Sequence, residues 1–339
     1  MSASTDGIIF PSHGSKLLGT LYRPHGEGKK PTALLLHGIP GNEKNVDLAY
    51  ALRDAGWNAV TFHYRGCWGS EGNYSLSGIV DDTIAAIDYL SQRDDVNMTR
   101  FAVVGMSLGG WGVVAAAARD DRIRAVISIN PLVDPNDYVI GDDYAESFAA
   151  MLNGITPREL RSQWMGLTPL QDVASKLADR PTMLITGEAD ELFSVEHQKV
   201  LVDAFPSIEW WRIPNGTHIF GDHRVMLVRG IVDWLIKNLE GLRDLQGLAI
   251  RSPKESDHRS LMGAMKYDEI LSLALHLSLN EQLMLIEILA RSIRKKVEST
   301  PKRKSSLALM RGIIKPDGAM PTDEELKEDY VDYLIKKYL

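Results

Sequence analysis

The stretch Gly105-Met106-Ser107-Leu108-Gly109 decides how this chain is read. Ahead of it, residues 101–104 form a short apolar, β-branched run that reads as a buried strand. Behind it, residues 110–118 are rich in alanine and read as a helix despite Gly110 and Gly112. A serine at the sharp corner between strand and helix sits in a strained backbone conformation that pushes its hydroxyl outward. Glycines two residues to either side let strand and helix pass close together there. The helix start adds free N–H groups and a positive dipole end where negative charge would develop. The pattern is that of a nucleophile elbow. An ordinary βα turn whose serine only caps the helix would satisfy it equally, so the decision passes to the surrounding chain.

Around this corner strands and helices alternate. Residues 7–10 and 16–22 read as an opening hairpin across a Ser-His-Gly-Ser turn. Residues 32–36 form an unbroken apolar run, as in a strand covered on both faces. Helix 45–55, strand 58–63, a glycine-rich loop over 65–72 and helix 81–92 follow, then the elbow and strand 125–129. Residues 131–175, with four prolines and helical pieces near 144–152 and 157–165, are too long for a plain βα connection. They read as a helical lid insertion covering the site. Strands 182–185 and 209–213 enclose helix 195–205, and helix 225–239 closes the unit. The expected fold is α/β, a mostly parallel sheet with helices on both faces, its chemistry at the carboxyl ends of the strands.

Loops at three such ends bear on Ser107. Residues 186–191 hold Glu188, Asp190 and Glu191; residues 214–220 hold His218, with His223 just beyond. The order serine, acid, histidine is that of a triad on an α/β-hydrolase sheet. In it the histidine takes the serine proton and the acid fixes the imidazole tautomer. His218, directly after its strand, is preferred over His223 as the base. The third loop, residues 37–41, suits an oxyanion hole in which the Ile39 N–H pairs with that of Leu108; Pro40 has no N–H to give. His37, His63 and Arg65 read as braces for these loops.

Together the strand order and the motifs HGIPG, RGCWGSEG, GMSLGG, TGEADE and NGTHIF resemble the α/β-hydrolase superfamily, above all its compact esterases and prolyl-oligopeptidase-like serine peptidases. The likeness covers about residues 1–242. It implies a Ser107–Asp190–His218 triad working through an acyl-enzyme with no metal or organic cofactor, and it favours Asp190 over Glu188 and Glu191. No glycine-rich nucleotide fingerprint, phosphate-binding loop, His-Glu-x-x-His or paired-cysteine motif occurs in the sequence.

Composition bounds the rest. The chain has 339 residues, 44% hydrophobic and 24% charged, with a net charge of −7. That balance argues against a dedicated nucleic-acid binder. The charge is uneven: residues 251–339 carry 16 Lys+Arg against 14 Asp+Glu, a net +2, which leaves −9 on residues 1–250. The single cysteine, Cys67, excludes an intrachain disulfide and fits a reducing compartment. With no signal-peptide pattern at the start and no run of ~18 apolar residues, a cytoplasmic location without membrane association is expected.

Past residue 242 the composition shifts. Residues 243–264 read as a linker and residues 265–339 as a helical C-terminal extension with thin apolar stripes, too thin to close a core alone. In its helix pair (LSLNEQLMLIEILARSIRKK) and its ending (PTDEELKEDYVDYLIKKYL) this extension resembles the small antitoxins of bacterial toxin–antitoxin pairs. The resemblance implies a protein partner such as a toxin; packing on the hydrolase or self-association is the plainer alternative. The expected activity is that of a carboxylesterase, with a serine peptidase or a non-catalytic scaffold as rivals.

Overall fold

The computed structural model describes residues 2–42 and 45–239. The chain divides into two units between residues 250 and 251, and every described residue falls in the first. The expected linker at 243–264 and helical module at 265–339 lie outside the described residues.

The first strands, β1 (Ser4–Ser12) and β2 (Ser15–Arg23), pair antiparallel through a two-residue turn in which His13 and Gly14 both take positive φ. That is the turn geometry whose twist matches a right-handed hairpin. Then follow β3 (Lys30–Leu36), α1 (Val46–Asp54), β4 (Asn58–Phe62), α2 (Gly78–Ser91), β5 (Val96–Met106), α3 (Leu108–Ala117) and β6 (Ala125–Ile129). Helices α4 (Asp142–Ala149) and α5 (Pro157–Met165) come next. The unit ends with β7 (Thr182–Gly187), α6 (Val195–Ala204), β8 (Glu209–Ile213) and α7 (Arg224–Leu239). The eight strands form one sheet in the order β1-β2-β4-β3-β5-β6-β7-β8. All pairs from β4 onward are parallel, and only β2 runs against its neighbours.

The period of two along the central strands builds two cores. Leu34 and Leu36 of β3 and Phe101 and Val103 of β5 face the layer holding α2, α3, α6 and the 131–175 segment. Ala33, Leu35, Ala102 and Val104 face α1 and α7. Burial on both faces explains why these strands read as continuous apolar runs rather than alternating ones.

Helix α3 starts at Leu108, two residues before the sequence pattern suggests, and all ten of its residues are buried. A helix apolar all round belongs inside. Its glycines are demanded by contact: a Cβ on Gly105 would strike the Gly109 carbonyl, and one on Gly109 would lie 2.5 Å from the Leu36 oxygen.

Between β6 and β7, α5 opens with a capping box in which Thr156 and Glu159 satisfy each other's N–H groups, with Pro157 in the first turn. Of the apolar residues in this segment, Leu132, Val133, Leu152 and Trp164 are buried and Tyr138 and Phe148 half-buried, while Met151 and Met165 are exposed. Among the described residues no helix is long and apolar enough to cross a membrane.

Candidate active site

Ser107 stands between β5 and α3 with φ 58° and ψ −123°. A side chain rarely adopts that conformation without being held there. The hold is main-chain: the Ser107 N–H donates to the Ile129 carbonyl at the end of β6 (2.9 Å), and its carbonyl accepts the Trp111 N–H (3.1 Å). The 37–41 loop passes alongside, so close that a Cβ on Gly38 would lie 3.1 Å from that of Ser107.

The structure brings His218 and Asp190 together. The His218 Nδ1–H donates to Asp190 Oδ2 at 2.9 Å and to Oδ1 at 3.1 Å. The Asp190 side chain is fully buried and that of His218 nearly so. Oδ1 also accepts the N–H groups of Leu192 (2.8 Å) and Phe193 (3.0 Å), which aims the carboxylate. The neighbouring acids do other work. Glu191 accepts the backbone N–H of His218 at 3.0 Å, and Glu188 pairs with Arg212 at 2.7 Å. His223 ends a short 3-10 turn ahead of α7.

Sequence reasoning missed Asn130. It follows β6, is fully buried, and holds φ 40°, which asparagine tolerates better than most residues. Its Oδ1 accepts the Gly187 N–H (2.8 Å) at the end of β7, and its Nδ2 donates to the carbonyls of His218 (2.9 Å) and Thr217 (3.3 Å). Since Ile129 holds Ser107, two consecutive residues tie the serine, acid and histidine loops together. An asparagine after a parallel strand was the only signal, and it is a weak one. Asn130→Ala strands a buried N–H and a buried carbonyl and leaves alanine at positive φ. The expected result is a loss of about 2–4 kcal/mol of stability by denaturant titration, with kcat at least tenfold lower.

In the 37–41 loop, the His37 ring turns back so that Nδ1 donates to the Gly38 carbonyl at 2.7 Å, the brace expected of it. That carbonyl shares a peptide plane with the Ile39 N–H, which therefore points the opposite way. Leu108, first in α3, has an N–H with no acceptor inside its helix. Arg65 braces a different place: its Nε and backbone N–H both reach Asp82 (2.6 and 2.9 Å).

The sequence profile of the prolyl oligopeptidase family matches residues 48–241, more than half of the chain. The chain belongs to the prolyl oligopeptidase family. It is 28% identical over 250 residues to the uncharacterized protein YfhR of Escherichia coli K12, covering 70% of this chain and 82% of that one. It is 32% identical over 183 residues to the quorum-quenching protein AidA of Acinetobacter baumannii, covering 52% and 56%. Among solved structures, ferulic-acid-bound Est1E from Butyrivibrio proteoclasticus superposes with a TM-score of 0.57 at 20% identity, over 69% of this chain and 99% of that one. DcsB with its substrate analogue gives 0.61 at 17%, over 70% and 100%. At such identities these two speak to the fold. Family and fold agree on a serine hydrolase of the α/β class.

In this prolyl oligopeptidase family member the 131–175 segment reaches the site through aromatic rings. Tyr138 packs edge-on against Phe193 (4.9 Å between centroids), and Phe193 packs edge-on against the His218 imidazole (5.5 Å). His197 stacks on Phe193 (5.4 Å), and its Nε2 accepts the Val133 N–H at 2.8 Å, a role open only to the neutral ring. Burial lowers the His197 pKa from its ordinary 6.5, against the opposing pull of Asp137, Asp134 and Asp190. Well above pH 6.5 His197 is neutral whether the chain is folded or not and contributes nothing to pH dependence. Below it the unfolded chain takes up a proton that the folded one resists, so stability falls as pH drops. Thermal melts from pH 7.5 to 5.5 should show a steeper decline for the wild type than for His197→Gln, which keeps an acceptor but does not titrate.

Cys67 is buried, and burial, with Asp82 adding to it, pushes its thiol well above the usual range. It is an inert core residue. Among the described residues no cluster of three or more His, Cys, Asp or Glu side chains could hold a metal ion.

Proposed function

We propose that this protein is a carboxylesterase in which Ser107, His218 and Asp190 form the catalytic triad and the N–H groups of Ile39 and Leu108 form the oxyanion hole. The observation that carries the reading is the buried Asp190 carboxylate on His218 Nδ1. It commits the ring's proton to Nδ1 and leaves Nε2 unprotonated, the form a general base needs. The Ser107 oxygen attacks the ester carbonyl as Nε2 takes its proton. The tetrahedral oxyanion is met by the two N–H groups, each worth about 2.7–4 kcal/mol at that stage. Collapse breaks the bond to the alcohol, which leaves with the proton from His218. Water, deprotonated by the same imidazole, then attacks the acyl-Ser107 carbonyl; the acid departs and the serine hydroxyl is restored. No metal or organic cofactor enters these steps.

Peptide cleavage by the same route is the second reading, favoured by the family match itself. A fluorophosphonate probe should label Ser107, and p-nitrophenyl esters should turn over faster than aminoacyl anilides. The reverse preference would make it a peptidase. A chain that neither labels nor turns over either class would be a scaffold, and the enzymatic reading would fall. For the 265–339 segment we propose binding of a protein partner such as a toxin, with packing on the hydrolase or on a second copy as the alternative. The single buried thiol is in keeping with the cytoplasm.

A further inference from the structure

Trp68 is hard to account for as a packing residue. About half of it (49%) is exposed, and its backbone holds φ 46°, unusual for a bulky side chain. Gly66 and Gly69 flank it, both at positive φ, so the loop after β4 turns sharply on either side to deliver this one residue. Apolar burial is non-directional and does not by itself select this orientation of the indole. What the indole does gain is directional: Nε1 donates to the Pro40 carbonyl at 2.7 Å. It also lies flush against Gly41, where a Cβ would meet Nε1 at 2.8 Å.

The consequence follows from where Pro40 sits. Ile39 lies between two anchored peptides, the Gly38 carbonyl held by His37 Nδ1 and the Pro40 carbonyl held by Trp68. The Tyr64 hydroxyl takes the His37 carbonyl one step earlier (3.2 Å). Each peptide unit is rigid and the Pro40 ring fixes its own φ. With three carbonyls drawn to donors around the loop, the direction of the Ile39 N–H is no longer free.

We propose that Trp68 is a positioning residue for the oxyanion hole, clamping the 37–41 loop through its indole N–H so that the Ile39 N–H stays aimed at the developing oxyanion. The inference rests on the hydrolase reading above. Reaction is the step that gains from a pre-aimed donor, because an aimed N–H stabilises the tetrahedral state more than the ground-state ester.

The test is Trp68→Phe, which keeps an aromatic ring and removes the N–H. On a p-nitrophenyl ester kcat should fall about tenfold while KM stays within about twofold, as for loss of one hydrogen bond expressed in the transition state. Affinity for a trifluoromethyl ketone, whose adduct with Ser107 carries the same oxyanion, should fall by a similar factor. Trp68→Gln places an N–H the same number of bonds from Cβ and should recover part of both losses. A purely structural role would instead lower the thermal midpoint and leave kcat per fluorophosphonate-titrated site unchanged. If the wild type labels and Trp68→Phe matches it in kcat and ketone affinity, the clamp is overturned and the hydrolase reading stands. If the wild type itself neither labels nor turns over substrate, both are overturned.

Discussion

Replacing Ser107 with alanine should lower kcat for ester hydrolysis by on the order of a millionfold and abolish fluorophosphonate labelling, while leaving the thermal midpoint within about two degrees. The two halves of that expectation have separate causes. Activity goes because no other atom stands where the hydroxyl was, and the histidine and acid have no proton transfer left to assist. Stability stays because the bonds that hold the elbow, to Ile129 and from Trp111, are main-chain and do not involve the hydroxyl. Alanine also keeps the Cβ, so the strain at φ 58° is unaltered. A residual rate above about 1% of wild type, in preparations that active-site titration shows to be free of contaminating esterase, would remove Ser107 from the mechanism.

Asp190→Asn should cost about 10⁴ in kcat near neutral pH with little change in fold. The asparagine oxygen can replace Oδ1 and keep the N–H groups of Leu192 and Phe193. The amide nitrogen then falls where Oδ2 was, 2.9 Å from His218 Nδ1. Two donors cannot face each other, so the ring shifts its proton to Nε2, where it can no longer accept one from Ser107. The substitution thus inverts the tautomer while preserving shape. Glu191→Gln is the companion measurement. Its carbonyl oxygen can still take the His218 N–H, so kcat should fall less than tenfold. Equal losses in the two variants would mean that Asp190 acts through loop structure alone.

The contrast between these adjacent acids marks how far the chain could be read before folding. The order of strands and helices was legible because burial on both faces leaves long apolar runs and the turns carry glycine and proline. The elbow was legible because steric contact at Gly105 and Gly109 tolerates no side chain, and that need is written as a local spacing. Boundaries drifted where propensity misled. Helix α3 starts among glycines because its packing against β3 outweighs their poor helix propensity.

What the sequence determined by itself was the sheet, its connection order and the short set of residues that strand ends would carry toward one another. The choice of Asp190 came from family resemblance, and its hydrogen bond to the imidazole from the tertiary structure. Only the tertiary structure showed that Asn130 joins three loops and that Trp68 reaches Pro40 across 28 positions of chain. The reason is physical. Periodicity and sterics act over a few residues and leave a local imprint. The aim of a hydrogen bond depends on where separate loops come to rest, and that is settled when the two cores close on the sheet.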